Sequence, residues 1–211
     1  MKLYTYFRSS AAYRVRIALN LKGVSYEPIY VSLLNGDHKA PDYAALNPQA
    51  LVPTLEHEGQ ALTQSLAIID YLEALHPAPP LYPDAPTARA QALSMAMLIG
   101  CDIHPLNNLR VLKYLKEDLG QQQEAVDAWY QRWVTDGFAA LEALAQVHGS
   151  DERCLGEVVT IADVFLAPQM WNARRFKVDL TPFPRLVAID ASLNQIEAFQ
   201  RAAPEAQGDA F

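Results

Sequence analysis

The stretch "YFRSSAAYRVRIAL", residues 6–19, decides how the chain begins to fold. It overlaps the end of a run of aromatic and β-forming residues, 2–7, that reads as a strand. Apolar residues then recur at helical spacing from Tyr13 through Ile17, Ala18 and Leu21. Ser9 and Ser10 therefore fall where a helix starts, among unpaired backbone N–H groups and at the positive end of the helix dipole. One reading makes either serine an N-cap. A second makes a hydroxyl and the helix N-terminus together a seat for an anion. The stretch by itself does not choose between them.

The whole chain bounds the answer. Its 211 residues suit one large domain or two small ones, and 51% hydrophobic with 19% charged residues describes a globular protein. The formal charge of −7, without any basic run, argues against a nucleic-acid partner, which needs a cationic surface. An acidic substrate has to be met by a local group of arginines instead. Cys101 and Cys154 stand far apart with no metal-ligand spacing, and are expected as reduced, buried thiols. The five histidines are scattered, so no metal site is expected. No apolar run reaches membrane-spanning length and no leader precedes the first strand, so the expectation is a cytoplasmic protein without a membrane partner.

Two halves follow different patterns. Residues 2–7, 13–22 and 25–31 read as β-α-β. Residues 54–56 and 61–62, flanking Glu58-Gly59, read as a hairpin, and 65–75 as an amphipathic helix, giving β-β-α. Residues 76–86 hold five prolines in eleven positions and form a linker. Beyond it, 87–116, 121–147, 161–174 and 186–200 all carry helical periodicity. Thr160 and Asp163 form a capping box at the third of these, a folding feature. The fold class is thus an α/β domain (1–78), a Pro-rich linker (79–86) and an all-helical domain (87–211).

Specific strings carry more. They are "YFRSSAAYRVRIALNLKG" (6–23), "ALNPQALVPTLEHEG" (45–59), "LTQSLAIIDYLE" (62–73), "DIHPLNNLRVLKYL" (102–115), "TIADVFLAPQMWNARRFKVDLTPFP" (160–184) and "IEAFQRAAPEAQGD" (196–209). Together they resemble the cytosolic glutathione transferases over essentially the whole chain. The serine pair and "NARRFKVDLTPFP" resemble the zeta class, the maleylacetoacetate and maleylpyruvate isomerases.

The resemblance implies a thioredoxin-like first domain that binds glutathione, with Pro53 cis. Val52 then presents its backbone to the peptide like an added strand; read alone, Pro53 is an ordinary trans proline at a strand edge. It implies that Gln64 and Ser65 hold the γ-glutamyl end at a helix N-terminus, although Ser65 alone reads as an N-cap. His38 reaches the glycyl end or is a solvated loop histidine. His104 and Asn108 contact glutathione from one face of the first helix beyond the linker, if Pro105 marks a kink or restart.

Ser9 takes the position of the family's catalytic serine, with Ser10 in reserve. A free thiol ionises at about 8.5, and one charge-assisted hydrogen bond lowers that by about one to two units. The zeta motif usually has a cysteine after the serines; here it is Ala11.

The implied reaction is cis–trans isomerisation of an alkene conjugated to a ketone, on a dianionic diketo acid from aromatic catabolism. Arg8, Arg110 and Arg175 are the guanidiniums expected to anchor its carboxylates, with Arg174 left open. Arg110 replaces the small polar residue of the maleylacetoacetate isomerase pattern, which turns the expectation toward maleylpyruvate. The alternatives are maleylacetoacetate isomerisation, a conjugating or dehalogenating transferase, and a non-catalytic scaffold. The family pattern also implies a homodimer.

Overall fold

The computed structural model describes residues 1–210. The chain opens with β1 (Lys2–Thr5), α1 (Ser10–Leu21) and β2 (Glu27–Tyr30). A short helix α2 (Pro41–Leu46) precedes the hairpin β3 (Thr54–His57) and β4 (Gln60–Thr63), and α3 (Ser65–Leu75) follows. The four strands form one sheet in the order β2-β1-β3-β4. β1 and β2 run parallel, joined by α1 as a parallel pair requires, whereas β1–β3 and β3–β4 are antiparallel. Leu3, Leu55, Ile17, Ile68 and Leu72 are fully buried, so the sheet takes its core from α1 and α3.

The chain separates into two compact units. The first comprises Met1–Pro80 together with the segment from Gln195 onward, and the second Leu81–Asn194. This corrects the expectation that everything after residue 86 belongs to the helical domain. The helical pattern over 186–200 is two helices, α8 (Pro184–Leu193) and α9 (Glu197–Ala202). α9 packs on α1, where Asn20 donates to the Ala198 carbonyl at 3.0 Å and Arg16 to the Ala202 carbonyl at 2.9 Å.

The buried Lys22 ammonium closes the same unit. It pairs with Glu73 at 2.7 Å and donates to the carbonyls of His76 (2.7 Å) and Pro79 (3.0 Å). The proline-rich segment is therefore held to the first unit at its start.

The second unit is built from α4 (Pro86–Met97), α5 (Leu109–Lys113), α6 (Gln123–His148), α7 (Ile161–Arg175) and α8. The helix expected over 87–116 is not continuous. α4 runs on into a π-helical stretch, Leu98–Ile103, then breaks at His104–Asn108 around Pro105, which has no N–H to offer. The chain restarts as α5. α6 crosses the π stretch at Gly137, where a Cβ would lie 2.4 Å from the Ile103 side chain. Only glycine permits that approach.

Cys101, on the π stretch, is exposed, in contrast to the buried thiol expected from sequence; Ile99 and Ile103 are the residues that this stretch buries. Cys154 is buried, and burial together with Asp163 pushes its thiol well up, so it stays protonated. Asp163 accepts from the N–H groups of Cys154 and Thr160, both at 2.8 Å, completing the capping box of α7. No helix among the described residues is long and apolar enough to cross a membrane, and no group of three potential metal ligands occurs among them.

Asp163 is the test of this scaffold. Asp163→Ala strands two buried N–H donors and is expected to destabilise the protein by about 3 kcal/mol or more. Asp163→Asn, which keeps one acceptor oxygen, should lose less. Chemical denaturation of both variants checks the order.

Candidate active site

Strand register brings the sequence-predicted residues of the first unit to one end of the sheet. Tyr4 of β1 pairs with Thr54 of β3, which pairs with Thr63 of β4. The chain leaving β1 (Tyr6–Ser9), the chain entering β3 (Leu51–Pro53) and the chain leaving β4 (Gln64) thus emerge together. β2 runs parallel to β1, so the segment after it, with His38 on a short 3-10 turn, leaves from that end too.

Ser9 is the N-cap of α1, its Oγ accepting from the Ala12 N–H at 3.2 Å. Capping occupies a lone pair and leaves the hydroxyl proton free to donate elsewhere, so the two readings of this serine are compatible. Ser10 is the first helical residue and is buried. Arg8 is exposed, with its guanidinium 4.8 Å from the centre of the Phe7 ring.

The "ALNP…VPT" string has a physical reason. Asn47, 1% exposed, donates to the Leu51 carbonyl (2.7 Å) and the Thr54 hydroxyl (3.0 Å), and Tyr43 reaches the same two groups at 2.6 and 3.0 Å. They hold the backbone on both sides of the Val52-Pro53 bond, which is cis. Val52 packs with Tyr6, Val31 and Tyr43. Among the described residues its N–H and carbonyl have no hydrogen-bond partner.

Ser65 is not the N-cap of α3. Gln64 takes that position at φ 69° and ψ 117°, a conformation that is costly for any residue but glycine, and no side chain caps the helix. The first N–H groups of α3 are thereby left to an external acceptor. Gln64 donates to the Gln49 side chain at 2.7 Å, tying this corner to the Pro53 loop. Ser65 is buried and accepts from Arg14 Nη1 at 3.4 Å. Arg14, 2% exposed, is a residue the sequence reading did not single out. His38 is half-buried, and its Nδ1 has no hydrogen-bond partner among the described residues.

The remaining candidates belong to the second unit. His104 and Asn108 lie on the broken segment and do not share one continuous helix face, as Pro105 and the restart of α5 separate them. Asn108 instead caps α5, its Oδ1 accepting from the Arg110 N–H at 3.2 Å. α6 pins this turn: Trp129 Nε1–H donates to the Leu106 carbonyl at 2.9 Å, and Asn107 donates to the Tyr130 carbonyl at 3.1 Å.

Tyr130 also meets the other end of the unit, stacking on Phe176 with ring centres 3.8 Å apart. Burial pushes its phenol far above the usual value, and the Arg175 charge opposes that shift. Arg175 is exposed, 4.9 Å from the Phe176 ring centre, and Arg110 is exposed on α5. Arg174 is committed elsewhere, paired with the buried Asp190 at 2.5 Å. That pairing gives Arg174, left open by the sequence, a structural partner of its own. Tyr130 was not legible as a neighbour of the candidates, because a tyrosine on an amphipathic helix reads as core.

Comparison with known proteins agrees with this fold. The family model for the glutathione S-transferase N-terminal domain matches residues 3–80, and that for the C-terminal domain residues 127–200. A maleylpyruvate isomerase of a Ralstonia species is 47% identical over 210 residues, covering 99% of each chain. The holo structure of a maleylpyruvate isomerase, a bacterial zeta-class glutathione S-transferase, superposes with a TM-score of 0.97 at 46% identity over all of both chains. The structure of a maleylacetoacetate isomerase from Methylobacterium extorquens, with bound malonate and glutathione, gives 0.96 at 38% identity, again over all of both chains. This chain belongs to the glutathione S-transferase family, in the zeta class of maleylpyruvate and maleylacetoacetate isomerases.

Proposed function

We propose that the protein is a glutathione-dependent isomerase converting maleylpyruvate to fumarylpyruvate. One observation carries the reading: a serine hydroxyl with its proton free, an unused backbone edge at Val52 and an uncapped helix N-terminus share one end of the sheet.

The donor set suits glutathione. The α3 N-terminus with Gln64 and Ser65 suits the γ-glutamyl carboxylate, the Val52 backbone suits the cysteinyl peptide, and the unpartnered His38 Nδ1 suits the glycyl end. His104 and Asn108 are assigned further hydrogen bonds to it. Bound glutathione supplies a thiolate that adds reversibly to the alkene, so that rotation occurs about a single bond.

The residues of the chain do the rest. The Ser9 hydroxyl, helped by the α1 N-terminus, holds negative charge on sulfur, and Ser10 is the reserve donor. Arg8, Arg110 and Arg175 anchor the substrate carboxylates and stabilise charge as it develops on the ketone oxygen. Arg110 favours maleylpyruvate over maleylacetoacetate, because its forked head suits a ketone and carboxylate side by side. Family membership further supports a homodimer acting in the cytoplasm in aromatic catabolism.

Glutathione should be required yet not consumed. With sub-stoichiometric glutathione, trans product is expected to exceed the thiol supplied many times over; loss of one thiol per substrate would replace the isomerase with a conjugating transferase.

Ser9→Ala should raise the thiol pKa of bound glutathione by about one to two units and cut turnover, and Ser10→Ala should do less. A thiolate absorbance titration reads both. If Ser9→Ala matches the wild type, the hydroxyl is not the activator.

Arg110→Ser should cost about 2–3 kcal/mol of transition-state stabilisation on maleylpyruvate, and less on maleylacetoacetate. Parallel kcat/KM measurements on the two substrates test this. Equal losses would remove the argument for maleylpyruvate.

A further inference from the structure

The turn that carries Arg8 and Ser9 is held from an unexpected direction. Phe7 donates its backbone N–H to Asp209 Oδ2 at 3.0 Å, across 202 residues of sequence. On the inner side, Arg16 donates to the carbonyls of Tyr6 (3.3 Å) and Phe7 (3.2 Å) and to the Thr5 hydroxyl (3.0 Å). Ser9 N–H closes the turn onto the Tyr6 carbonyl at 3.0 Å.

The segment bearing Asp209 is itself fixed residue by residue. Gln207, buried, donates to the carbonyls of Arg201 (3.0 Å) and Ala203 (2.9 Å). Gly208 N–H donates to the Tyr30 hydroxyl at 3.1 Å, and a Cβ on Gly208 would lie 2.6 Å from that oxygen. Burial lowers the Arg16 guanidinium to about 10, so it keeps its charge at neutral pH, with nearby tyrosines and Asp209 opposing the shift.

We propose that Asp209 is a positioning residue for Ser9: its carboxylate fixes the Phe7 peptide and so aims the Ser9 hydroxyl and the Arg8 side chain. The inference rests on the assignment of Ser9 as donor to the glutathione sulfur. Phe7 is two residues from Ser9, and its N–H and carbonyl are held by opposite charges, Asp209 from the segment after α9 and Arg16 from α1. Releasing one of the two lets the peptide tilt, and an ångström at a hydrogen-bond donor is enough to change turnover.

The experiment measures the thiol ionisation of bound glutathione by thiolate absorbance, with kcat, KM and glutathione Kd, for the wild type, Asp209→Ala, Asp209→Asn, Ser9→Ala and the double variant Ser9→Ala/Asp209→Ala. Asp209→Ala should raise the thiol pKa by about half a unit to one unit and lower kcat about tenfold, with glutathione Kd changing less. Asp209→Asn keeps an acceptor oxygen for Phe7 and should recover most of the loss. The double variant should match Ser9→Ala in thiol ionisation, because one residue acts through the other.

If Asp209→Ala does not fold, Tyr30→Phe, which releases only the Gly208 anchor, should shift the ionisation in the same direction by less. Wild-type ionisation and kcat in the foldable variant, or a shift that adds to that of Ser9→Ala, overturns the role of Asp209. An unchanged ionisation in Ser9→Ala overturns the Ser9 assignment itself, and this inference with it.

Discussion

A guanidinium with no access to water organises the first unit. Arg16 is fully buried, and stranding an ionised group there would cost several kcal/mol without partners. Its N–H groups go to a side chain and two carbonyls at the end of β1 and to a carbonyl at the end of α9. The charge therefore dictates three things at once: where β1 stops, how the chain turns into α1, and that a distant segment must return to complete the shell. Removing that return would leave a buried donor exposed to nothing.

Around this anchor the site uses ordinary folding devices for a second purpose. Ser9 caps a helix and keeps a proton to give. Asn47 and Tyr43 satisfy the backbone around Val52-Pro53 while leaving Val52 itself unpaired. α3 starts on Gln64, in a backbone conformation that glycine would adopt more cheaply, and goes without a cap. Each departure from an optimal local arrangement leaves a polar group available to something outside the chain. Natural folds tend to concentrate such departures where they bind and react.

Much of this was legible in the sequence. The switch from β-forming to helical spacing located β1, α1 and the hairpin, and residues 65–75 carried enough apolar periodicity to define α3 to the residue. The serines, the Val-Pro pair and Gln64-Ser65 could be named, and the sheet register gathers them at one end. The break at Pro105 was anticipated only as a condition, because periodicity survives a π turn that merely adds a residue. Arg14 and Arg16 could not be read as interior groups, since arginine is rarely buried without partners, and Ser65 for the one and the Ala202 carbonyl for the other lie far along the chain. The split of 186–200 was hidden for another reason: apolar residues recur through both α8 and α9, although the two helices belong to different units.

The first unit is discontinuous, made of Met1–Pro80 and the segment from Gln195 onward, with Leu81–Asn194 inserted between them. During synthesis the emerging sheet must therefore wait while the whole insert is made, on the order of ten seconds at ~5–20 residues per second. Throughout that interval Arg16 lacks its Ala202 partner and Phe7 lacks Asp209. A chain stalled within α8 therefore holds all four strands of its sheet, yet lacks both the last helix of the second unit and the α9 segment that completes the first.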